Sequence, residues 1–361
     1  MSRLATLLLA CLFFCHPLPL RADEAPERLP AYQKRFERER PLVAVIGENR
    51  MTELVDYVLP YGLLKRSGVA EVVALSTRPG PMQMMPALHL LAEADIDGFD
   101  RRHPEGADYI VVPAVHHSDD PQLLRWVRQQ AAKGATVVGI CDGALVLGEA
   151  GLLEERRATG HWYSRGQREE DFPGTRWVSD RRYLADGKVI TTAGVSAAMP
   201  VSIALVEAIA GTNRAQALAT GIGLADWSPR HDGDAFALGA GGYLAAAGNL
   251  LSFWRHEELG LEVRQGEDEL ALALRADAWS RTFRSEVLAL AADASPIRTA
   301  SGLVLLPEPM AAHPGITHLQ PTDAPLARLF DQTLGAIAER YDQATAALVA
   351  AQLEYAPALN E

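Results

Sequence analysis

Cysteine is scarce in this chain. Only three of its 361 residues are cysteine, and two of them, Cys11 and Cys15, stand in an apolar leader. The remaining thiol, Cys141, can close no internal disulfide, so an exported form would carry one free sulfur that asks for a chemical explanation. Positive charge is scarce too: 34 Lys and Arg face 46 Asp and Glu, a formal net charge of −12, with no basic cluster. That excludes the electrostatic footprint of a nucleic-acid or anionic-membrane binder. The leader's apolar stretch, Leu4 to Phe14, is too short to cross a bilayer, so no stable membrane insertion is expected. Gly221-Ile222-Gly223 lacks the third glycine and the strand context of a dinucleotide site. His116-His117 with Asp119-Asp120 lack the HxxxH or Cys-His spacing of a metal centre. No cofactor and no metal are expected.

What is present begins with a stretch that reads as an export signal. In residues 1–22, Arg3 supplies the positive start, the apolar stretch follows, and Leu20-Arg21-Ala22 forms a cleavage site before Asp23. The expected location is secreted or periplasmic, and losing Arg3 and Arg21 takes the formal charge from −12 to −14. Residues 23–40 read as a charged arm or short helix. Buried strands are expected at 42–46, 71–75, 108–113 and 135–140, with helices at 52–66 and 121–133. Continuous apolar strands alternating with helices predict an α/β fold with a parallel sheet covered on both faces. In such sheets the site lies at the carboxyl ends of the strands.

Val138-Gly139-Ile140-Cys141-Asp142-Gly143-Ala144 is the chemically loaded segment. A short β-branched strand ends in Gly-x-Cys-x-Gly and a helix follows, the pattern of a nucleophile elbow with cysteine as nucleophile. At a helix N-terminus, free N–H groups and the helix dipole favour the thiolate. Asp142 acts in one of two ways. Its carboxylate raises the thiol pKa if it lies close, or it caps the new helix and points away. Its backbone N–H is the expected first oxyanion donor.

Further segments accompany the elbow: Ala150-Gly151-Leu152-Leu153, Arg157-Ala158-Thr159-Gly160-His161-Trp162, Phe172-Pro173 and Asp186-Gly187-Lys188-Val189-Ile190-Thr191-Thr192-Ala193-Gly194-Val195. Together, across about residues 41–212, they resemble the DJ-1/PfpI (ThiJ/PfpI) superfamily, which is related in fold to class I glutamine amidotransferases. The resemblance is greatest to its isocyanide hydratases and the sensor domains of AraC-type regulators. It implies a flavodoxin-like sheet sandwiched by helices and an acidic side chain against the cysteine, four residues before a proline. Here that residue is Asp56, before Pro60, with Glu53 as runner-up. The resemblance also implies a second oxyanion donor after Val112-Pro113. The family has a glycine pair there; this chain has Ala114-Val115, so the Val115 N–H is the candidate. His161 matches a family histidine near the cysteine, as general base or substrate ligand. His116 is a further candidate to face the pocket.

Residues 213–361 form a C-terminal lobe with an internal repeat. At a constant offset of 215, residues 286–308 match 71–93 with nine identities in 23 positions, among them Glu71/Glu286, Leu90/Leu305 and Glu93/Glu308. Arg66 falls on Arg281. The lobe is expected to be a degenerate half-copy of the fold without a cysteine elbow, followed by one terminal helix through Leu326, Phe330, Leu334, Ile337, Tyr341, Ala344 and Leu348. The family's dimers imply a homodimer or, through this copy, an internal pseudo-dimer. The expected function is a cofactor-independent hydratase or hydrolase acting on a small electrophile. The alternatives are a ligand or redox sensor using the same thiol, and a stress chaperone or structural protein.

Overall fold

The computed structural model describes residues 28–357; the leader expected at 1–22, residues 23–27 and the last four residues lie outside them. Residues 28–40 form no helix and are mostly exposed, as an arm would be, but they are anchored. They lie irregularly against the domain: Leu29 is buried, the Tyr32 N–H donates to the Ala208 carbonyl at 2.8 Å, and Arg38 pairs with buried Asp108 at 2.8 Å. So short a segment gains more from these anchors than from a marginal helix.

β1 (Leu42–Gly47) is buried at all six positions, as a strand covered on both faces must be. α1 (Leu54–Ser67) starts at Glu53, whose carboxylate accepts the Asp56 N–H, and stops at Gly68, which takes the left-handed φ of 69°. The first half continues through β2 (Glu71–Ser76), β3 (His89–Leu91), β4 (Ala94–Asp95), β5 (Tyr109–Val112), α2 (Pro121–Ala132), β6 (Thr136–Gly139), α3 (Gly143–Glu149), β7 (Tyr183–Asp186), β8 (Val189–Thr192) and α4 (Ala198–Ala210). Its sheet has the order β7-β8-β6-β5-β1-β2-β4, parallel throughout except for the β7–β8 hairpin. The register sets Val43 beside Val72 and Tyr109, and Ile110 beside Val137. Helices cover both faces. Leu59 of α1, Val201 and Leu205 of α4 and Cys141 share one core, while Trp126 of α2 and Val146 of α3 lie in the other. The ends of β1, β5 and β6 converge on one edge, and the elbow stands there.

The second half comprises α5 (Ala240–Leu251), β9 (Glu257–Glu262), α6 (Glu269–Ser280), β10 (Ser285–Ala291), β11 (Val304–Leu305), β12 (Glu308–Pro309), α7 (Leu329–Arg340) and α8 (Gln343–Leu353). β9 and β10 run parallel about α6, as β1 and β2 do about α1. α6 begins 215 residues after α1, and its N-cap Asp268 stands 215 residues after Glu53. Phe283 takes a φ of 57° at the position equivalent to Gly68. β3 and β11 pair antiparallel with Leu90 opposite Leu305. The single terminal helix expected here is two. Asp342 adopts extended backbone and accepts the Thr345 N–H at 2.7 Å, starting α8 afresh. α5 is inverted in polarity: buried Asn249 bonds the Thr282 carbonyl and Thr345 Oγ1, while Tyr243, Leu244, Leu250 and Leu251 face outward, followed by exposed Phe253 and Trp254.

Candidate active site

β6 ends between β5 and β8, and the chain turns at once. Cys141 takes a φ of 55°, a left-handed conformation that costs a residue with a Cβ about 1–3 kcal/mol. Two backbone bonds and one to a side chain hold it: Ile140 N–H to the Val112 carbonyl (2.9 Å), Gly143 N–H to the Ile140 carbonyl (2.7 Å), and Cys141 N–H to Thr192 Oγ1 (3.1 Å). A Cβ on Gly143 would stand 2.2 Å from the Val112 oxygen, so the second glycine of the motif is required by close approach to the neighbouring strand.

The sulfur is buried, with the residue 4 % exposed. Burial first, then the carboxylates of Asp56, Asp142 and Glu53, push the thiol well above its ordinary range, while the Asp142 N–H pulls the other way. This corrects the thiolate expected from the helix N-terminus. α3 has only seven residues, and one N–H and a short dipole do not offset desolvation and three acidic neighbours.

Asp56 is fully buried. Its Oδ2 accepts the Ala114 N–H at 3.2 Å, and its Oδ1 has no partner among the described residues. Burial is the largest influence and lifts its pKa to about 7, against the Ala114 N–H and Arg281. Glu53 is not an alternative to Asp56 but its support: Oε2 accepts the Asp56 N–H at 2.5 Å and Oε1 accepts Arg281 Nη2 at 2.7 Å. Burial and the Asp56 and Asp277 charges hold Glu53 above the usual carboxyl range.

Cys141, Asp142 and His161 come together, with one potential ligand atom from each within 4.8 Å of the others. Burial lowers the His161 pKa, favouring a neutral imidazole, and its Nε2 has no hydrogen-bond partner among the described residues. The set offers three ligand types to a divalent metal, but the Arg281 and Arg168 guanidiniums both act on His161 and oppose a dication. What the arrangement brings together without a metal is a thiol, a carboxyl and an imidazole, three groups that can each hold a proton.

A family profile for the DJ-1/PfpI family matches residues 42–208. A Streptomyces lividans protein, described only as uncharacterized, is 35% identical over 115 residues, covering 28% of this chain and 79% of its own. The chain belongs to the DJ-1/PfpI family. Isonitrile hydratase of Pseudomonas putida is 37% identical over 100 residues, 27% of this chain and 42% of that one. The HTH-type transcriptional regulator CdhR of Pseudomonas aeruginosa is 35% identical over 112 residues, 31% of this chain and 33% of that one. The chain thus spans less than half the length of these last two relatives.

The remaining expected residues of this DJ-1/PfpI domain are placed unequally. Asp142 does not cap α3 with its side chain; Oδ1 instead accepts the Ser164 hydroxyl at 2.5 Å. The Ala114 N–H is taken by Asp56 and its carbonyl by the Glu53 N–H at 2.8 Å, so Ala114 is no oxyanion donor. The Val115 N–H has no partner among the described residues, while its side chain packs into the opposite core. His116 is not in the pocket. It is exposed beside His117, because the bridge from Thr52 to Val115 turns the chain outward there.

Three groups near the elbow come from far along the chain: Glu354, His231 and Arg281. The Glu354 carboxylate accepts the Gly194 N–H at 2.7 Å and the Trp162 N–H at 3.3 Å, contacts His231 Nε2 at 2.7 Å, and stands 3.9 Å from His161 Nε2. A Cβ on Gly194 would meet His161 and Glu354 at 2.5 and 2.7 Å, so that glycine makes room for both. Arg281 is the third. Its match to Arg66 was the one sequence signal for any of them.

Proposed function

We propose that this DJ-1/PfpI protein is a cofactor-independent hydratase or hydrolase of small electrophiles, with Cys141 as nucleophile and Asp56 as its proton partner. The observation that carries this reading is the strained elbow. A residue held at a φ of 55° sets its sulfur beside the Asp142 N–H, within the electrostatic reach of a buried carboxyl that titrates near neutrality. The isonitrile hydratase relative supports an isonitrile as the first substrate to try. Sγ adds to the isonitrile carbon, and the thiol proton, relayed through Asp56, ends on that carbon as a thioformimidate. Water adds to the same carbon, one of its protons goes to nitrogen and the other returns with the departing sulfur. The sum is an isonitrile plus water giving an N-substituted formamide.

Formamide production from a small alkyl isonitrile, followed by NMR, tests the reading. Cys141→Ala is expected to fold and to lose turnover by about 1,000-fold or more. Wild-type protein that turns over neither isonitriles nor 2-oxoaldehydes, or a Cys141→Ala protein with undiminished turnover, would refute it. The leader at residues 1–22 supports export to the periplasm or beyond, tested by fractionating cells that express the full chain.

A second reading, a ligand or redox sensor, is supported by the CdhR relative, although a buried, protonated thiol opposes its redox form. It predicts stoichiometric, reversible oxidation of Cys141 under mild peroxide without turnover.

A further inference from the structure

α1 and α6 pack against each other through two reciprocal ion pairs. Arg66, near the end of α1, holds Asp268 at the start of α6 at 2.7 Å; Arg281, just past the end of α6, holds Glu53 at the start of α1 at 2.7 Å. Asp268 and Glu53 are equivalent at the 215-residue offset, and so are Arg281 and Arg66. Leu90 pairs with Leu305, its own equivalent, so an approximate two-fold axis passes between β3 and β11. Residue i touching j′ while j touches i′ is the signature of an isologous dimer interface, and here both sides belong to one chain.

The two ends of this interface differ in chemistry. At one end Arg66 reaches Asp268, Glu269 and Ser301, with no cysteine near. At the other, Arg281 reaches Glu53 and Asp277, and its charge is felt at Cys141, Asp56 and His161. The position equivalent to Asp56 is Ala271, so only one end retains the acid.

We infer that residues 257–309 are a built-in second subunit and that Arg281, supplied by it, is a positioning residue for the Cys141 site, acting through Glu53 and Asp56. Arg281 is the cation among Glu53 and Asp56 from α1, Asp277 from α6 itself, and Cys141, Asp142 and His161 from the elbow side. The inference deepens the proposed function and rests on Cys141 being the reacting group. Its readout is alkylation of the thiol rather than turnover, so the two fail separately.

The experiment compares the pH dependence of Cys141 alkylation in the full chain with Arg281→Gln, Arg281→Lys and Arg66→Gln. Loss of the cation in Arg281→Gln is expected to raise the alkylation midpoint by about one pH unit, a tenfold slower reaction at fixed pH below it. Arg281→Lys is expected to return the midpoint toward wild type. Arg66→Gln breaks the equivalent pair and is expected to leave the profile unchanged. Equal shifts in Arg281→Gln and Arg66→Gln, or none in either, would show that Arg281 is structural only. Sedimentation of the wild-type protein needs no variant: one chain mass at tens of micromolar supports a built-in subunit, and a dimer using the α1 face overturns it.

Discussion

The thiol of Cys141 is opposed by its surroundings until a substrate or a proton acceptor changes them. Since burial and three carboxylates keep it protonated, iodoacetamide is expected to react slowly at pH 7, with a rate still rising above pH ~8.5, the free-thiol value. A plateau reached below pH 7, read by mass spectrometry, would contradict this. Asp56 carries a second consequence. Its folded pKa of about 7 lies above the ordinary 3.8, so between these values the native state binds a proton that the unfolded chain has released. Stability therefore falls as pH rises from about 4 to 7, with the raised pKa of neighbouring Glu53 acting in the same sense. Asp56→Asn is expected to flatten that part of the curve, as measured by urea unfolding at half-unit pH steps. Both effects depend on burial. The motif around Cys141 and the family resemblance that singles out Asp56 before Pro60 pointed to these residues, but neither their proton state nor the exposure of His116 was legible there.

At the level of elements, the elbow and the α8 terminus were read with unequal success. Gly139, Cys141 and Gly143 are adjacent in sequence and form one turn, so a local pattern revealed it even though Gly143 also answers to the neighbouring strand. The helical stripe from Leu326 to Leu348 concealed a break, since hydrophobic period persists through a turn that Asp342 and Thr345 make by hydrogen bonding. The far end of α8 carries more. Glu354, at a φ of 52°, closes the helix and gives its carboxylate to the Gly194 and Trp162 N–H groups and to His231. Glu354→Ala leaves buried donors without an acceptor and is expected to cost about 1–3 kcal/mol for each. Thermal unfolding would record a clear fall in Tm, and an unchanged Tm would mean that water takes over the site.

For the whole molecule, one apolar core runs from Leu29 through α1 and α4 to α6, β10, α7 and α8. Neither half has this core to itself. Unfolding followed by far-UV circular dichroism and by tryptophan fluorescence is therefore expected to give one coincident transition. Two separated midpoints would show that the C-terminal half folds as its own unit. The outward face of α5 and the turn after it, with Leu244, Leu251, Phe253 and Trp254 at 70–73% exposure, depart from this inward placement of apolar surface.

By itself the sequence determined what local chemistry decides: the buried parallel strands, the glycine-framed elbow, the cysteine at its tip and the repeat at an offset of 215. Tertiary structure decided what depends on groups brought together across more than a hundred residues. Arg281 meets Glu53 only because α6 packs on α1, and Glu354 meets His161 only because α8 returns to the elbow. Whether Cys141 holds its proton follows from the desolvation and charge those contacts impose, and these exist only once the core has closed around it.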